Sequence, residues 1–222
     1  MLSLEDRSKK VFEEAYAVLC RKLSGGAVVV QNEASLQLQL ASILKTLGEL
    51  SVFKPDERFS IELEKSVTNG EALFAKSGSR RAKIDIWYQF EDRSSGEKVR
   101  TAIELKFFKR ENHREPDNRY DVYKDLLNLE GYGQHSDLGF LAVFTDHQHY
   151  VSQELYSEDT KDFDFRDGST YRTPTELFYR TSKPYGPPIV LQGDYDFKWD
   201  HRGGGLYALK TAVRPLKRRV FV

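Results

Sequence analysis

The segment KIDIWYQFEDRSSGEKVRTAIELKFFKR, Lys83–Arg110, decides how this chain is read. Two apolar runs flank a polar turn, and each run carries acids. Alternate residues of a strand share a face. Asp85 and Trp87 then point one way, and Ile84, Ile86 and Tyr88 the other. In the second run Ala102, Glu104 and Lys106 share a face, opposite Ile103, Leu105 and Phe107. Asp, Ser and Gly make EDRSSGEK an antiparallel turn. If Arg93 faces Gly96, the same register carried down the hairpin sets Asp85 opposite Glu104, roughly 5 Å apart at Cβ. Like charges facing each other destabilise a hairpin. The pair therefore needs a compensating partner: Lys106 on the same face, or a divalent cation.

Mg²⁺ takes one or two carboxylates together with waters and phosphate oxygens. Two acids with a neighbouring lysine and a peptide carbonyl suit phosphodiester hydrolysis, in which a metal polarises the phosphate and acidifies a water. A lysine there orients or deprotonates that water, or balances developing charge.

Around the hairpin, Val11, Ala15, Leu19 and Leu23 recur at helical spacing and predict a helix over 4–23. A second helix starts at an Asn32 cap and carries Leu36, Leu40, Ile43, Leu44 and Leu47 on one stripe, with Gly48 at its end. Glu33 lies in its first turn, on the same side as Gln37. RFSIELEK alternates as a strand ahead of the hairpin. Behind it, Asp117 or Asn118 caps a helix holding Tyr123, Leu126, Leu127 and Glu130, with Asp121, Asp125 and Glu130 on a solvated face. LGFLAVFT reads as a buried strand. After Asp146, SEDTKDFDFRD reads as a surface loop or edge strand. YDFKWDHRGGGLYALKTAV reads as two strands about a glycine turn.

Asp85, eighteen intervening residues and then ELK at Glu104–Lys106 resemble the PD-(D/E)xK nuclease superfamily. The order helix, three-strand meander, helix, strand also resembles it, as does the acid Glu33 on the preceding helix. The resemblance spans about residues 30–146. It implies an α/β restriction-endonuclease-like core with a mixed central sheet flanked by helices, preceded by the helix at 4–23 and followed by a β-rich extension over 147–222, all in one domain. It further implies Mg²⁺ or Mn²⁺ on Asp85, Glu104 and the Leu105 carbonyl, with Glu33 binding a second ion or a metal-bound water and Lys106 positioning the attacking water. Ile84 stands where the motif name has proline, and no Gln-x-x-x-Tyr element follows ELK, which speaks against an exonuclease of that type. The implied activity is a metal-dependent endonuclease acting on DNA rather than RNA. A homodimer would serve cleavage of both strands. The alternative is a non-catalytic module on the same fold that binds nucleic acid or protein.

Lys plus Arg and Asp plus Glu number 34 each, so bulk electrostatics does not coat nucleic acid with this chain. Local phosphate contacts fall to Arg80, Arg81 and Lys83 on one side of the hairpin and Lys109 and Arg110 on the other. The basic tail KTAVRPLKRRV is a further candidate. His147 and His149 lack a Cys or further His to complete a zinc site and read as surface histidines. One cysteine, Cys20, no apolar leader in the first twenty residues and no apolar run near ~18 residues point to a cytoplasmic protein without a membrane span.

Overall fold

The computed structural model describes residues 2–68, 81–201, 203 and 205–217. Two helices, α1 (Leu4–Ser24) and α2 (Glu33–Leu50), precede three long strands, β1 (Glu57–Thr68), β2 (Arg81–Asp92) and β3 (Glu97–Phe108). Helix α3 (Glu115–Gly131) and strand β4 (Leu138–Thr145) follow. A single turn, α4 (His149–Ser152), leads to short strands β5 (Thr170–Tyr171), β6 (Glu176–Leu177), β7 (Ile189–Val190), β8 (Tyr195–Asp196) and β9 (Trp199–His201), then to β10 (Tyr207–Val213). The central sheet runs β1-β2-β3-β4-β10-β9. Only β3 and β4 are parallel, joined through α3; the other neighbours are antiparallel. The protein is therefore mixed α/β, with helices on both faces of a six-stranded mixed sheet. No helix among the described residues is long and apolar enough to cross a membrane.

The alternation of the strands sorts side chains between two cores. Ile86, Tyr88, Phe90, Ile103, Leu105, Phe140 and Phe144 pack under α1 and α2 with Phe12, Leu40 and Leu44. Trp87, Ala102, Leu141 and Val143 pack under α3 with Leu126 and Leu129. β4 is buried on both faces, which explains its unbroken apolar run. The C-terminal third closes the second core. Phe163 and Phe165, from the acidic stretch expected at the surface, are fully buried, and that stretch is loop rather than strand. Hydrophobic burial anchors it despite its charge, because alternate residues of DFDF point inward.

Asn32 caps α2 as the sequence predicts, its side chain accepting the Ser35 N–H while Ser35 bonds back to it. Gly48 does not end that helix, which continues to Leu50. The Phe59 ring lies 2.3 Å from where a Cβ at position 48 would stand, so glycine is needed there for packing against β1. Neither Asp117 nor Asn118 caps α3: Arg114 is its N-cap and its side chain makes no capping bond, and Pro116 in the first turn needs no backbone partner.

α1 and β1 are tied together by a buried, two-pronged ion pair. Arg7 gives Nη1–H to Glu57 Oε2 at 2.8 Å and Nη2–H to Oε1 at 2.7 Å, and Nη1 also donates to the Ser51 carbonyl. Glu57 Oε2 accepts the Phe53 N–H as well.

Candidate active site

The register of the hairpin sets the site. Asp92 stands opposite Glu97, Trp87 opposite Ala102 and Ile86 opposite Ile103, as the turn predicts. A left-handed Gly96 and the Asp92 carboxylate, which accepts the Ser94 N–H, shape the turn that fixes it. The β2–β3 pairing stops at Ile86. Below it β2 stays with β1 only, while β3 stays with β4. The hairpin splays where Asp85 and Glu104 come next in register.

At that point β2 departs from simple alternation. Ile84 joins Trp87 in the core under α3, although the sequence set it on the face of Ile86 and Tyr88. Glu64, the next residue across β1, has φ +51°, a left-handed backbone that strand residues avoid. The bend releases Asp85 from the ladder and turns its side chain toward β3. Its Oδ2 accepts the Leu105 N–H at 2.8 Å. The carboxylate thus takes the place of a strand partner for the middle residue of Glu104-Leu105-Lys106.

Asp85 is 7 % exposed and Glu104 0 %. Glu104 Oε1 accepts the Tyr132 hydroxyl at 2.7 Å, from just beyond the end of α3. Burial and the Glu104 carboxylate raise the pKa of that phenol far above its ordinary value, so it stays a donor. Lys106 Nζ lies 2.7 Å from Asp125 Oδ2 and 3.9 Å from Glu33 Oε1, and donates weakly to the Leu105 carbonyl at 3.4 Å. Burial pulls the Lys106 pKa down. Asp125, Glu33, Asp85 and Glu104 more than reverse this and hold it well above the ordinary lysine value. The surrounding acids thus favour the charged form of Lys106.

The chain matches no protein-family model, no curated protein and no solved structure. The reading of the site rests on its own geometry.

Glu33, at the start of α2, lines two adjoining cavities. One, of about 260 Å³, is shared with Gln37, Glu64, Asp85 and Leu105. The other, of about 270 Å³, is shared with Lys106, Asn112, Arg114, Asn118 and Asp121. Gln37 donates to Glu64 Oε1 and to the Asp85 carbonyl, so α2 clamps the bent part of β2. The structure thus gathers Asp85, Glu104, Leu105, Lys106 and Glu33 at one end of the sheet.

Three contributors were not assigned from sequence. Asp125 was placed on a solvated face and is 2 % exposed; Tyr132 and Glu64 were not singled out. Glu130, read the same way as Asp125, is buried and accepts the Gly193 N–H at 2.8 Å and the Tyr195 hydroxyl at 2.7 Å, holding the C-terminal segment to α3. The signal for these was weak, because the helical pattern marks which side carries apolar residues and not what packs over the other.

The expected phosphate contacts divide. Arg81 and Lys83 are exposed beyond Asp85 on β2, Lys83 near Glu64 at 3.6 Å. Lys109 is ion-paired with Glu111, and Arg110 is exposed just past β3. Antiparallel pairing puts both groups at the splayed end of the hairpin. Arg80 lies outside the described residues, as does the end of the basic tail from 218.

Fit to a metal follows from donor chemistry. Among the described residues no three or more His, Cys, Asp or Glu side chains are grouped to hold an ion. Two buried carboxylates and a peptide carbonyl match the sparse oxygen set with which Mg²⁺ is held, its remaining positions taken by water and phosphate.

Proposed function

We propose that the protein is a Mg²⁺- or Mn²⁺-dependent DNA endonuclease with a restriction-endonuclease-like core of the PD-(D/E)xK type. The observation that carries this reading is the bond from the Leu105 N–H to Asp85. It brings an aspartate from one strand against a Glu-x-Lys triplet on the next, at the end where their pairing opens. Asp85, Glu104 and the Leu105 carbonyl would hold the ion, with Glu33 binding a water on it. When bound, the ion supplies Lewis acidity to the phosphate and to a water.

The chain's own residues do the rest. Tyr132 fixes the Glu104 carboxylate through its hydroxyl. Lys106, kept cationic by its acidic surroundings, orients the attacking water and offsets charge gathering on the phosphate oxygens. Asp125 holds the Lys106 ammonium in place. Its loss should misplace that cation: Asp125→Asn is expected to lower kcat about 10–100-fold, with KM and Mn²⁺ affinity unchanged and partial recovery in Asp125→Glu. A parallel fall in metal affinity would assign Asp125 a different role.

The function is tested by incubating the protein with supercoiled and linear DNA in Mg²⁺ or EDTA. Nicking or linearisation only with Mg²⁺ supports it; intact DNA across metals and sequences counts against it. One observation favours the second reading, a non-catalytic nucleic-acid- or protein-binding module. Both acids already have protein donors, Leu105 N–H and Tyr132 O–H, which could serve stability alone. Such a module would retain DNA in a mobility-shift assay without cutting it.

A further inference from the structure

Asp85 is skipped by both ladders that pass it. The β1–β2 register pairs Leu63 with Ile86 and Lys65 with Ile84, but not Glu64 with Asp85. The β2–β3 register ends where Ile86 meets Ile103. A buried residue in mid-strand that leaves its ladders needs other partners for its backbone, because a buried carbonyl left unpaired costs as much as a lost hydrogen bond. Helix α2 supplies one. Gln37 Nε2–H donates to the Asp85 carbonyl at 2.5 Å.

The same nitrogen donates to Glu64 Oε1 at 3.1 Å. A primary amide carries two N–H groups, so one side chain holds both residues that the register leaves out. Glu64 needs holding: at φ +51° it keeps a left-handed backbone that a side chain with a Cβ adopts only at a cost. Gln37 lies one turn after Glu33 on the same side of α2. Both line the cavity of about 260 Å³ with Glu64, Asp85 and Leu105. The Asn32 cap and the buried Leu36 and Leu40 seat this part of α2 against the sheet, so the amide is delivered from a fixed element.

We propose that Gln37 is the positioning residue for Asp85. Its amide takes the place of a strand partner on the Asp85 carbonyl, while the Leu105 N–H engages the Asp85 carboxylate. With the carbonyl pinned to α2, the carboxylate stays against β3 and beside the cavity that Glu33 lines. Without the pin the carbonyl turns to water or back toward β1, and the carboxylate turns with it. Gln37 touches no reacting atom; it sets where a metal ligand stands. That effect on the metal rests on the nuclease reading; the hold on Asp85 does not.

The test is Gln37→Met, which keeps the length and helix preference of the side chain and removes its donors. Amide hydrogen exchange, read residue by residue by NMR, reports the hold. Exchange at Leu105 should quicken about tenfold or more, while Ile103, paired with Ile86 just before the strands part, stays within about twofold of the parent. Calorimetry should show Mn²⁺ bound about 10–100-fold more weakly. Unchanged exchange at Leu105, equal quickening at Leu105 and Ile103, or parent-like Mn²⁺ affinity in the variant would overturn the proposal. The two readings fail separately. A parent that binds no Mn²⁺ refutes the nuclease, and exchange at Leu105 then decides the hold alone. A parent that binds Mn²⁺ and cuts DNA, with Leu105 exchange unmoved in Gln37→Met, refutes the hold and leaves the nuclease standing.

Discussion

Asp85→Asn and Glu104→Gln are each expected to lower Mg²⁺-dependent DNA cleavage roughly 10²–10³-fold or more while leaving the fold as stable as the parent. Both substitutions keep shape. An asparagine oxygen at 85 can still accept the Leu105 N–H, and a glutamine oxygen at 104 can still accept the Tyr132 hydroxyl. What each removes is negative charge from a crowded site, so repulsion between neighbouring acids falls. Activity and stability should thus respond differently, which separates a catalytic role from a structural one. Lys106 is a less clean probe. Lys106→Met leaves Asp125, 2.7 Å away and buried, without its cation. Stranding a buried charge costs about 3–5 kcal/mol, so lost activity in that variant mixes with unfolding. Cleavage on plasmid DNA, read beside thermal melts of the same preparations, checks both halves.

The largest stability effect is expected far from the site, at Arg7–Glu57. Arg7→Met removes both prongs and leaves Glu57, 1 % exposed, with only the Phe53 and Lys54 N–H groups and the Lys54 ammonium at 3.8 Å. The expected loss is about 3–5 kcal/mol, or roughly 10 °C in Tm for a chain of this size. The pair also gives the fold an acid sensitivity. The Arg7 guanidinium, with the Phe53 N–H, holds the Glu57 carboxyl down at about 2, below the ordinary 4.5. A carboxyl lowered on folding binds fewer protons in the native chain than in the unfolded one. Its stabilisation is complete above about 4.5 and is lost as pH falls toward about 2. Urea unfolding of the parent at pH 7 and pH 3 should show that decline, and Arg7→Met should show less of it. Equal slopes for the two proteins would remove Glu57 as the cause.

Much of this was legible in the sequence because it is local. A turn that runs from Asp92 to Gly96 fixes a register, and a register carried down two strands says where Asp85 and Glu104 fall. The Asn32 cap and the doubly buried β4 are local in the same sense. The bend at Glu64 was not legible, since nothing in RFSIELEK marks a left-handed residue and its reason lies across the sheet. Asp125 and Glu130 were misplaced because a helix with a charged side looks solvated until its covering is known. Here Lys106 covers the first and the Gln192–Tyr195 segment the second. Phe163 and Phe165 were hidden in the same way, by acids that flank them in the chain but not in space.

The most direct measurement is calorimetric titration of Mn²⁺ into the parent, Asp85→Asn and Glu104→Gln at neutral pH. A metal-dependent nuclease centred on the splayed hairpin should give saturable binding in the parent and none in either variant. Saturable binding that survives both substitutions would place any metal elsewhere. No binding in the parent would leave the two buried acids a structural explanation only.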